Sequence, residues 1–135
     1  MVGYSGTPLA KKLGFRDSCR VRTTNPPSDC LQLVTPRPDN VLISGAIRND
    51  IDIWHVFTRS AATLRQDLPR MQDMIKQNGM IWVSWPKKAS QVPTDVTEDV
   101  IRKLALPLGL VDVKVCAVDE VWSGLKLVIR KELRK

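Results

Sequence analysis

The sequence predicts a three-layer α/β sandwich, in which helices cover both faces of a mostly parallel sheet and an antiparallel strand closes the chain. Three observations support this fold class. Met80–Trp85 is an almost unbroken apolar run, which is typical of a parallel strand buried on both faces. Two stretches with apolar residues spaced three and four apart lie on either side of it and predict helices. Two alternating segments joined by a short loop follow them and indicate a hairpin.

The composition is that of one globular domain in a reducing compartment. The chain has 135 residues, of which 43% are hydrophobic and 26% charged. Its three cysteines, Cys19, Cys30 and Cys116, form no C-x-x-C pair, which argues against a disulfide framework or a zinc site. The N-terminal stretch has no export-signal pattern, and no run approaches the ~18 apolar residues of a membrane span. We therefore expect a soluble, cytoplasmic protein without a metal.

The net charge of +7 suggests an anionic partner. The partner could be an anionic small molecule, an acidic protein or a nucleic acid. The basic residues are scattered along the chain, however, so a solvated basic surface is the favoured interpretation and nucleic acid is a less favoured partner. The sequence does not indicate an oligomeric state.

The elements before residue 60 are predicted from apolar spacing and from Gly and Pro stops. They are a short helix over Leu9–Gly14, a strand over Cys19–Thr24, one helical turn capped by Ser28, and strands over Val41–Ile47 and Ile51–Thr58. Only Arg48–Asp50 separates the last two strands, which is too short for a crossover helix between adjacent parallel strands. These strands either form a hairpin or lie apart with the first strand between them, and the second arrangement is preferred.

The predicted long helix opens at Ser60 and ends at Asn78–Gly79, with a kink expected at Pro69. Its buried stripe comprises Ala61, Leu64, Leu68, Met71 and Ile75. After Met80–Trp85, a second helix starts at Asp95–Glu98, whose pattern is similar to a capping box. It ends at Pro107 and Gly109.

The last predicted elements form the hairpin. Val111–Ala117 is predicted to be a less buried strand, because its valines and Ala117 alternate with Asp112, Lys114 and Cys116. Asp119–Gly124 is expected to be the loop, and Leu125–Ile129 the antiparallel final strand.

Three motifs resemble those of a small bacterial family known only as a domain of unknown function. The motifs are YSGTPLAKKLG at Tyr4–Gly14, WPKK at Trp85–Lys88 and VDExWSGLK at Val118–Lys126. The likeness extends over nearly the whole chain, and it indicates kinship with that family without implying a mechanism. The order of elements also resembles the second half of the class I methyltransferase fold, so the sheet is expected to be Rossmann-like. Fold alone does not imply an activity.

The usual cofactor motifs of that fold are missing from the sequence. A glycine-rich turn is needed after the first strand so that the backbone can approach the ligand, but Thr23–Cys30 contains no glycine and two prolines. The second strand ends with the basic Arg48 where an acid would bind the ribose hydroxyls. The sequence therefore predicts no cofactor, and S-adenosylmethionine is not expected to bind in the usual way.

Lys87 and Lys88 are candidate ligand-binding residues because they follow the central strand. Open α/β sheets bind ligands at this end of their strands. With Thr97 at the start of the next helix the two lysines could hold a phosphate or carboxylate. The alternative is two exposed lysines that flank a turn.

The hairpin loop supplies the other candidates, Asp119, Glu120, Trp122 and Ser123. The acids could form an acid–base pair, or the loop could be a lid with an aromatic anchor. Trp122 could equally close the edge of the sheet.

His55 is the only histidine and is interpreted as a hydrogen-bonded interior residue rather than a catalyst. Tyr4–Thr7 could cover the carboxyl edge of the sheet. The leading hypothesis is a non-catalytic methyltransferase-like domain that binds an anionic ligand or a protein partner. The alternatives are a divergent transferase that uses Asp119, Glu120 or His55, and a nucleic-acid-binding protein.

Overall fold

The computed structural model describes residues 7–135. The part of the chain from Thr7 onward contains six strands: β1 (Arg20–Thr24), β2 (Leu42–Ser44), β3 (Ile51–Phe57), β4 (Ile75–Pro86), β5 (Leu110–Ala117) and β6 (Trp122–Ile129). Its α-helices are α1 (Leu9–Lys12), α2 (Cys30–Leu33), α3 (Ala61–Met74) and α4 (Glu98–Ala105). Single 3₁₀ turns follow at Lys88–Ser90, Leu106–Leu108 and Lys131–Leu133. The predicted cover formed by Tyr4–Thr7 falls largely outside the described residues.

All six strands form one sheet in the order β2-β1-β3-β4-β6-β5. The pairs β2–β1, β1–β3 and β3–β4 are parallel, whereas β6 is antiparallel to both β4 and β5. The predicted fold class is therefore confirmed. β1 lies between β2 and β3, as preferred from the short connection.

The connection from β2 to β3 contains no helix and passes over β1. Nη1 of Arg22 donates to the carbonyl of Ile47 at 3.1 Å, and Nε of Arg20 donates to the carbonyl of Asn49 at 3.2 Å. The guanidinium of Arg22 also lies 4.1 Å from the ring centroid of Trp54. Two arginines of β1 thus hold the connection on the face where a crossover helix would otherwise pack.

The sheet has an apolar core on each face. The larger core packs under α3 and α4, and the smaller one packs against α1 and the segment after α2. Trp54, Trp82 and Trp85 are all buried, as predicted. Nε1 of Trp82 donates to the carbonyl of Leu13 at 2.9 Å, which ties the end of α1 to the sheet.

The boundary between α3 and β4 differs from the prediction. The helix ends at Met74, four residues before Asn78, and Ile75 instead pairs with Ile51 in the sheet. Gly79 therefore does not terminate a helix. A Cβ at this position would lie 3.0 Å from the carbonyl oxygen of Ile51 and 3.1 Å from that of Asp52, so only glycine allows the two strands this close an approach.

Two of the three predicted helix caps are wrong. Ser60 caps α3 as expected, since its hydroxyl accepts from the backbone N–H of Thr63. Asp29, not Ser28, precedes α2 and makes no side-chain cap bond. Thr97, not Asp95, caps α4.

The strands at the two sheet edges also differ from the prediction. β2 covers only Leu42–Ser44. In β5 the valines Val113 and Val115 are exposed, by 51% and 47%, while Leu110 and Cys116 are buried. A register shift between Asp112 and Lys114 breaks the alternation and turns the following residues over. β6 begins at Trp122, so the predicted loop Asp119–Gly124 is shortened to residues 118–121.

Candidate functional site

A cleft of about 790 Å³ opens at the carboxyl ends of β1 and β3, beside the start of β6. We call it the carboxyl-edge cleft. Its lining combines aromatic rings, hydroxyl groups and one cation: Asn25, Phe57, Thr58, Arg59, Ser60, Thr63, Pro93 and Trp122. Its volume lies within the range of ligand pockets, about 300–1,000 Å³. The cleft also has the position that open α/β sheets use for ligands.

The floor of the cleft is aromatic. Phe57 and Trp122 meet edge to face with their ring centroids 5.2 Å apart. His55 stacks under Phe57 at 4.1 Å, and its Nε2 lies 2.7 Å from Oγ of Ser84. Burial lowers the pKa of His55 to about 3, so the ring is neutral. His55 is thus the interior residue that the sequence predicted, and it supports the floor from below.

The rim carries the polar groups. Arg59 is exposed, and its carbonyl accepts hydrogen bonds from Oγ1 of Thr94 and from the backbone N–H of Asp95. The carboxylate of Asp95 in turn accepts from the N–H of Ala61 at 2.8 Å. The N-terminus of α3 is therefore already capped by a carboxylate, which offsets its positive dipole. The positive charge at the rim comes from the side chain of Arg59.

Asn25 stands directly after β1 with a φ of 53°. This left-handed conformation is one that glycine usually provides, and asparagine adopts it more readily than most residues. Asn25 therefore gives the turn after β1 a left-handed backbone conformation of the kind that a glycine-rich turn would have provided. The two prolines of this turn, Pro26 and Pro27, still lack backbone donors.

A second cleft of about 460 Å³ lies next to the first, and Pro93 lines both. We call it the Lys88 cleft. It contains two of the predicted residues, Lys88 and Thr97. The hydroxyl of Thr97 accepts from the N–H of Val100, so it is engaged as a cap.

Lys87, which the sequence predicts to bind a ligand, lies between the Lys88 cleft and the hairpin. Its backbone N–H donates to the carbonyl of Val121 at 2.7 Å. Its side chain is half-buried, whereas that of Lys88 is exposed. The first turn of α4, opposite the lysines, carries Glu98 and Asp99. Their negative charge opposes a bound anion at that helix end.

The hairpin turn holds Trp122 in place. Oδ1 of Asp119 accepts from the N–H groups of Val121 at 2.8 Å and Trp122 at 2.7 Å. Asp119 therefore closes the turn and directs Trp122 towards the carboxyl-edge cleft. Glu120 is exposed, and Ser123 is half-buried in register with Trp85.

The structure therefore brings only part of the predicted set together. Trp122 lines one cleft, and Lys88 and Thr97 line the other. The sequence analysis did not select Asn25 or Arg59. Arg59 lies two positions after the end of β3 and directly before the cap of α3, and no local sequence pattern distinguishes it.

The cysteines do not form a reactive site. All three are free thiols, and burial raises the pKa of each. Within residues 7–135, no group of three or more His, Cys, Asp or Glu side chains is arranged to hold a metal ion. In the same region, no helix has the length and apolar character needed to cross a membrane.

Comparison with known proteins identifies the fold. No family model and no curated protein sequence matches the chain. Solved structures do match, among them LepI in complex with SAH, with a TM-score of 0.57 and 10% identity over 92% of this chain. Ribosomal protein L11 methylase from Lactobacillus delbrueckii subsp. bulgaricus gives 0.54 and 8% over 90%. The chain has a Rossmann-like α/β fold similar to that of this methylase.

The match extends to fibrillarin, a pre-rRNA processing protein of Methanococcus jannaschii, with a TM-score of 0.52 and 9% identity over 96% of this chain. The chain spans 47% of LepI, 74% of the methylase and 72% of fibrillarin. Identities this low establish a common fold and leave the activity open.

Proposed function

We propose that the chain is a methyltransferase-like domain that binds a small anionic ligand in the carboxyl-edge cleft and does not transfer methyl groups. The observation that carries this proposal is the pairing of an aromatic floor, Phe57 and Trp122, with the exposed cation of Arg59 at the rim. A ligand with a flat or apolar body and an anionic group complements this arrangement.

The hydroxyl groups of the cleft support the same ligand class. Ser60 and Thr63 add hydroxyl groups around Arg59, whereas the hydroxyl of Thr58 donates to the carbonyl of Ser60. Lys88 lies in the adjoining cleft across Pro93. A ligand that extends past Pro93 would reach a second cation there. In this proposal Lys88 binds the outer end of such a ligand.

The absence of catalysis is proposed because the candidate acids and bases are engaged or turned away. His55 is 4% exposed and bonded to Ser84, which is fully buried. Asp119 closes the hairpin turn through two backbone N–H groups. Glu120 is exposed and does not line the carboxyl-edge cleft.

A divergent transferase is the second candidate, and the backbone of Asn25 favours it. The φ of 53° at this position gives the turn after β1 a glycine-like path at the mouth of the cleft. Binding of S-adenosylmethionine there would be compatible with such a turn. The LepI match concerns a complex with SAH, which supports testing this cofactor class.

A ligand screen by thermal unfolding separates the two functions. Pyrophosphate, ATP and S-adenosylmethionine are added singly to the wild type and to Arg59→Ala. We expect an anionic probe to raise the unfolding temperature by several degrees, and Arg59→Ala to abolish the rise. Arg130→Ala is the matched control, because Arg130 is exposed after the far end of β6.

Each outcome of the screen has a definite meaning. No shift with any probe, or an equal shift in Arg59→Ala, contradicts binding in the carboxyl-edge cleft. A shift with S-adenosylmethionine followed by methylation of an added acceptor overturns the non-catalytic proposal and supports the transferase. The double variant Lys87→Ala/Lys88→Ala then tests whether the ligand extends into the Lys88 cleft.

We further infer kinship with the small bacterial family that the three motifs resemble, and a cytoplasmic location. The motifs at Trp85–Lys88 and Val118–Lys126 support the kinship, and each contributes residues to one of the two clefts. The three free cysteines support a reducing compartment.

A further inference from the structure

Three lysines gather on the face of the hairpin that packs against α1. Lys114 of β5 and Lys126 of β6 are directly opposite each other in the antiparallel register. Lys12, in the last turn of α1, lies near the same place, since its neighbours Ala10 and Leu13 pack in one core with Cys116 of β5. We call Lys12, Lys114 and Lys126 the lysine face. It shares no residue with the lining of the carboxyl-edge cleft.

The like charges of the lysine face are not neutralised within the described chain. Directly opposed like charges on neighbouring strands destabilise a sheet. Among residues 7–135, no salt bridge involves any of the three lysines. Asp112, the acid of β5, is held by Arg102 of α4 on the other face of the sheet. Burial and the neighbouring Lys114 lower the pKa of Lys126.

We propose that the lysine face binds the phosphate backbone of nucleic acid without reading the base sequence. Lys114 is exposed and Lys12 and Lys126 are half-buried, so within the described residues all three side chains are at least partly accessible. Several cations on one face suit a polymer that presents several phosphates at once. Ammonium groups act as point charges on phosphates and carry no base readout by themselves. The net charge of +7 adds long-range attraction for a polyanion.

Nucleic acid fits this surface better than a lipid bilayer. Peripheral binding to a bilayer combines basic residues with apolar side chains that insert beside them. Val115, an exposed valine of β5, pairs with Leu125, whose side chain belongs to the core under α3 and α4. Val115 therefore points away from the lysine face.

The test is the salt dependence of binding to a short fluorescein-labelled DNA duplex and to the matching RNA duplex, followed by anisotropy. We expect the wild type to bind at low salt. Lys114→Gln/Lys126→Gln should weaken binding at least tenfold and reduce the slope of log K against log salt by about 2. The control Lys103→Gln/Lys131→Gln removes the same charge from exposed positions outside the lysine face and should retain most of the affinity.

Other outcomes overturn the proposal. They are no binding by the wild type, equal loss in the two double variants, or binding to phosphatidylserine vesicles without binding to either duplex. Lys114→Arg/Lys126→Arg keeps the charges and should keep the affinity, which separates a charge effect from a folding defect. Failure here leaves the cleft proposal intact, because Arg59→Ala and its ligands report on a different surface.

Discussion

His55 makes the stability of the protein depend on pH between its unfolded and folded pKa values. Its pKa is about 3 in the fold, below the usual 6.5, because burial disfavours the charged ring. Well above pH 6.5 the ring is neutral whether the chain is folded or not. Between pH 6.5 and 3 the unfolded chain binds a proton that the folded chain does not, so stability falls as the pH is lowered.

We therefore expect the free energy of unfolding to fall by about 1 kcal/mol for each pH unit below pH 6. The range from pH 6.5 to 5 is diagnostic, because His55 is the only histidine and carboxyl groups ordinarily titrate lower. Urea unfolding at several pH values measures this slope. His55→Gln removes the titrating ring, so its slope should be nearly flat there. An unchanged slope in this variant would exclude His55 as the cause.

Individual residues also show where sequence reasoning about the site succeeds. His55 was correctly interpreted because a lone histidine on an apolar strand is usually an interior residue. Arg59 was missed because an arginine between a strand and a helix cap has no distinguishing local pattern. Its significance comes from the carboxyl-edge cleft, which β1, β3 and β6 form only in three dimensions. Asn25 was missed since its φ is not visible in the sequence.

At the scale of elements, α3 is capped partly by a distant residue. The N–H of Ala61 donates to Asp95, which lies 34 positions later and just before α4. Replacing a capping acceptor by alanine typically costs about 1 kcal/mol. We expect Asp95→Ala to lose about this much and also to loosen the loop that carries Pro93 into both clefts.

Asp95→Asn separates the hydrogen bond from the charge. It keeps an acceptor for Ala61 and should lose only a few tenths of a kcal/mol, about the scale of a charge at a helix N-terminus. Asp73→Ala is the control, since Asp73 is an exposed acid near the opposite end of α3. Chemical denaturation measures all three variants. Equal losses in Asp95→Ala and Asp73→Ala would contradict the capping role.

Helices and strands were predictable where their buried faces produce a clear pattern of apolar residues in the sequence. The stripe of α3 and the apolar run of β4 are such patterns. Their boundary was not predictable, because Ile75 fits both the helical stripe and a buried strand. The prediction of which β5 residues are buried was wrong because a register shift reverses the alternation. Asp95 was assigned to the start of α4, although it caps α3, because its partner Ala61 is remote in sequence.

At the scale of the whole molecule, the strand order follows from one short connection. Six residues, 45–50, join β2 to β3. They are too few for a crossover helix, so the chain passes over β1 without one. Arg20 and Arg22 hold the segment there through its carbonyl groups. The connection therefore places no helix on this face above β1, and the two arginines of β1 lie against it instead.

This topology predicts an uneven distribution of stability across the sheet. β3 is buried at all seven positions, and β4 has a neighbour on each side. β2 is a three-residue edge strand, and β5 is an edge strand with Val113 and Val115 exposed. Opening an edge strand breaks one ladder and exposes little apolar surface, whereas opening β3 or β4 requires nearly global unfolding.

Amide hydrogen exchange measured by NMR tests this distribution. We expect the amides of β3 and β4 to be the slowest, and those of β2 and β5 to exchange on the order of a hundredfold faster. Protection of β5 equal to that of β4 would contradict the prediction for an isolated chain. If that protection disappears on dilution, a second copy covers the β5 edge. If the protection persists on dilution, the single chain protects the amides of β5 as well as those of β4, and the prediction that edge strands open first is wrong.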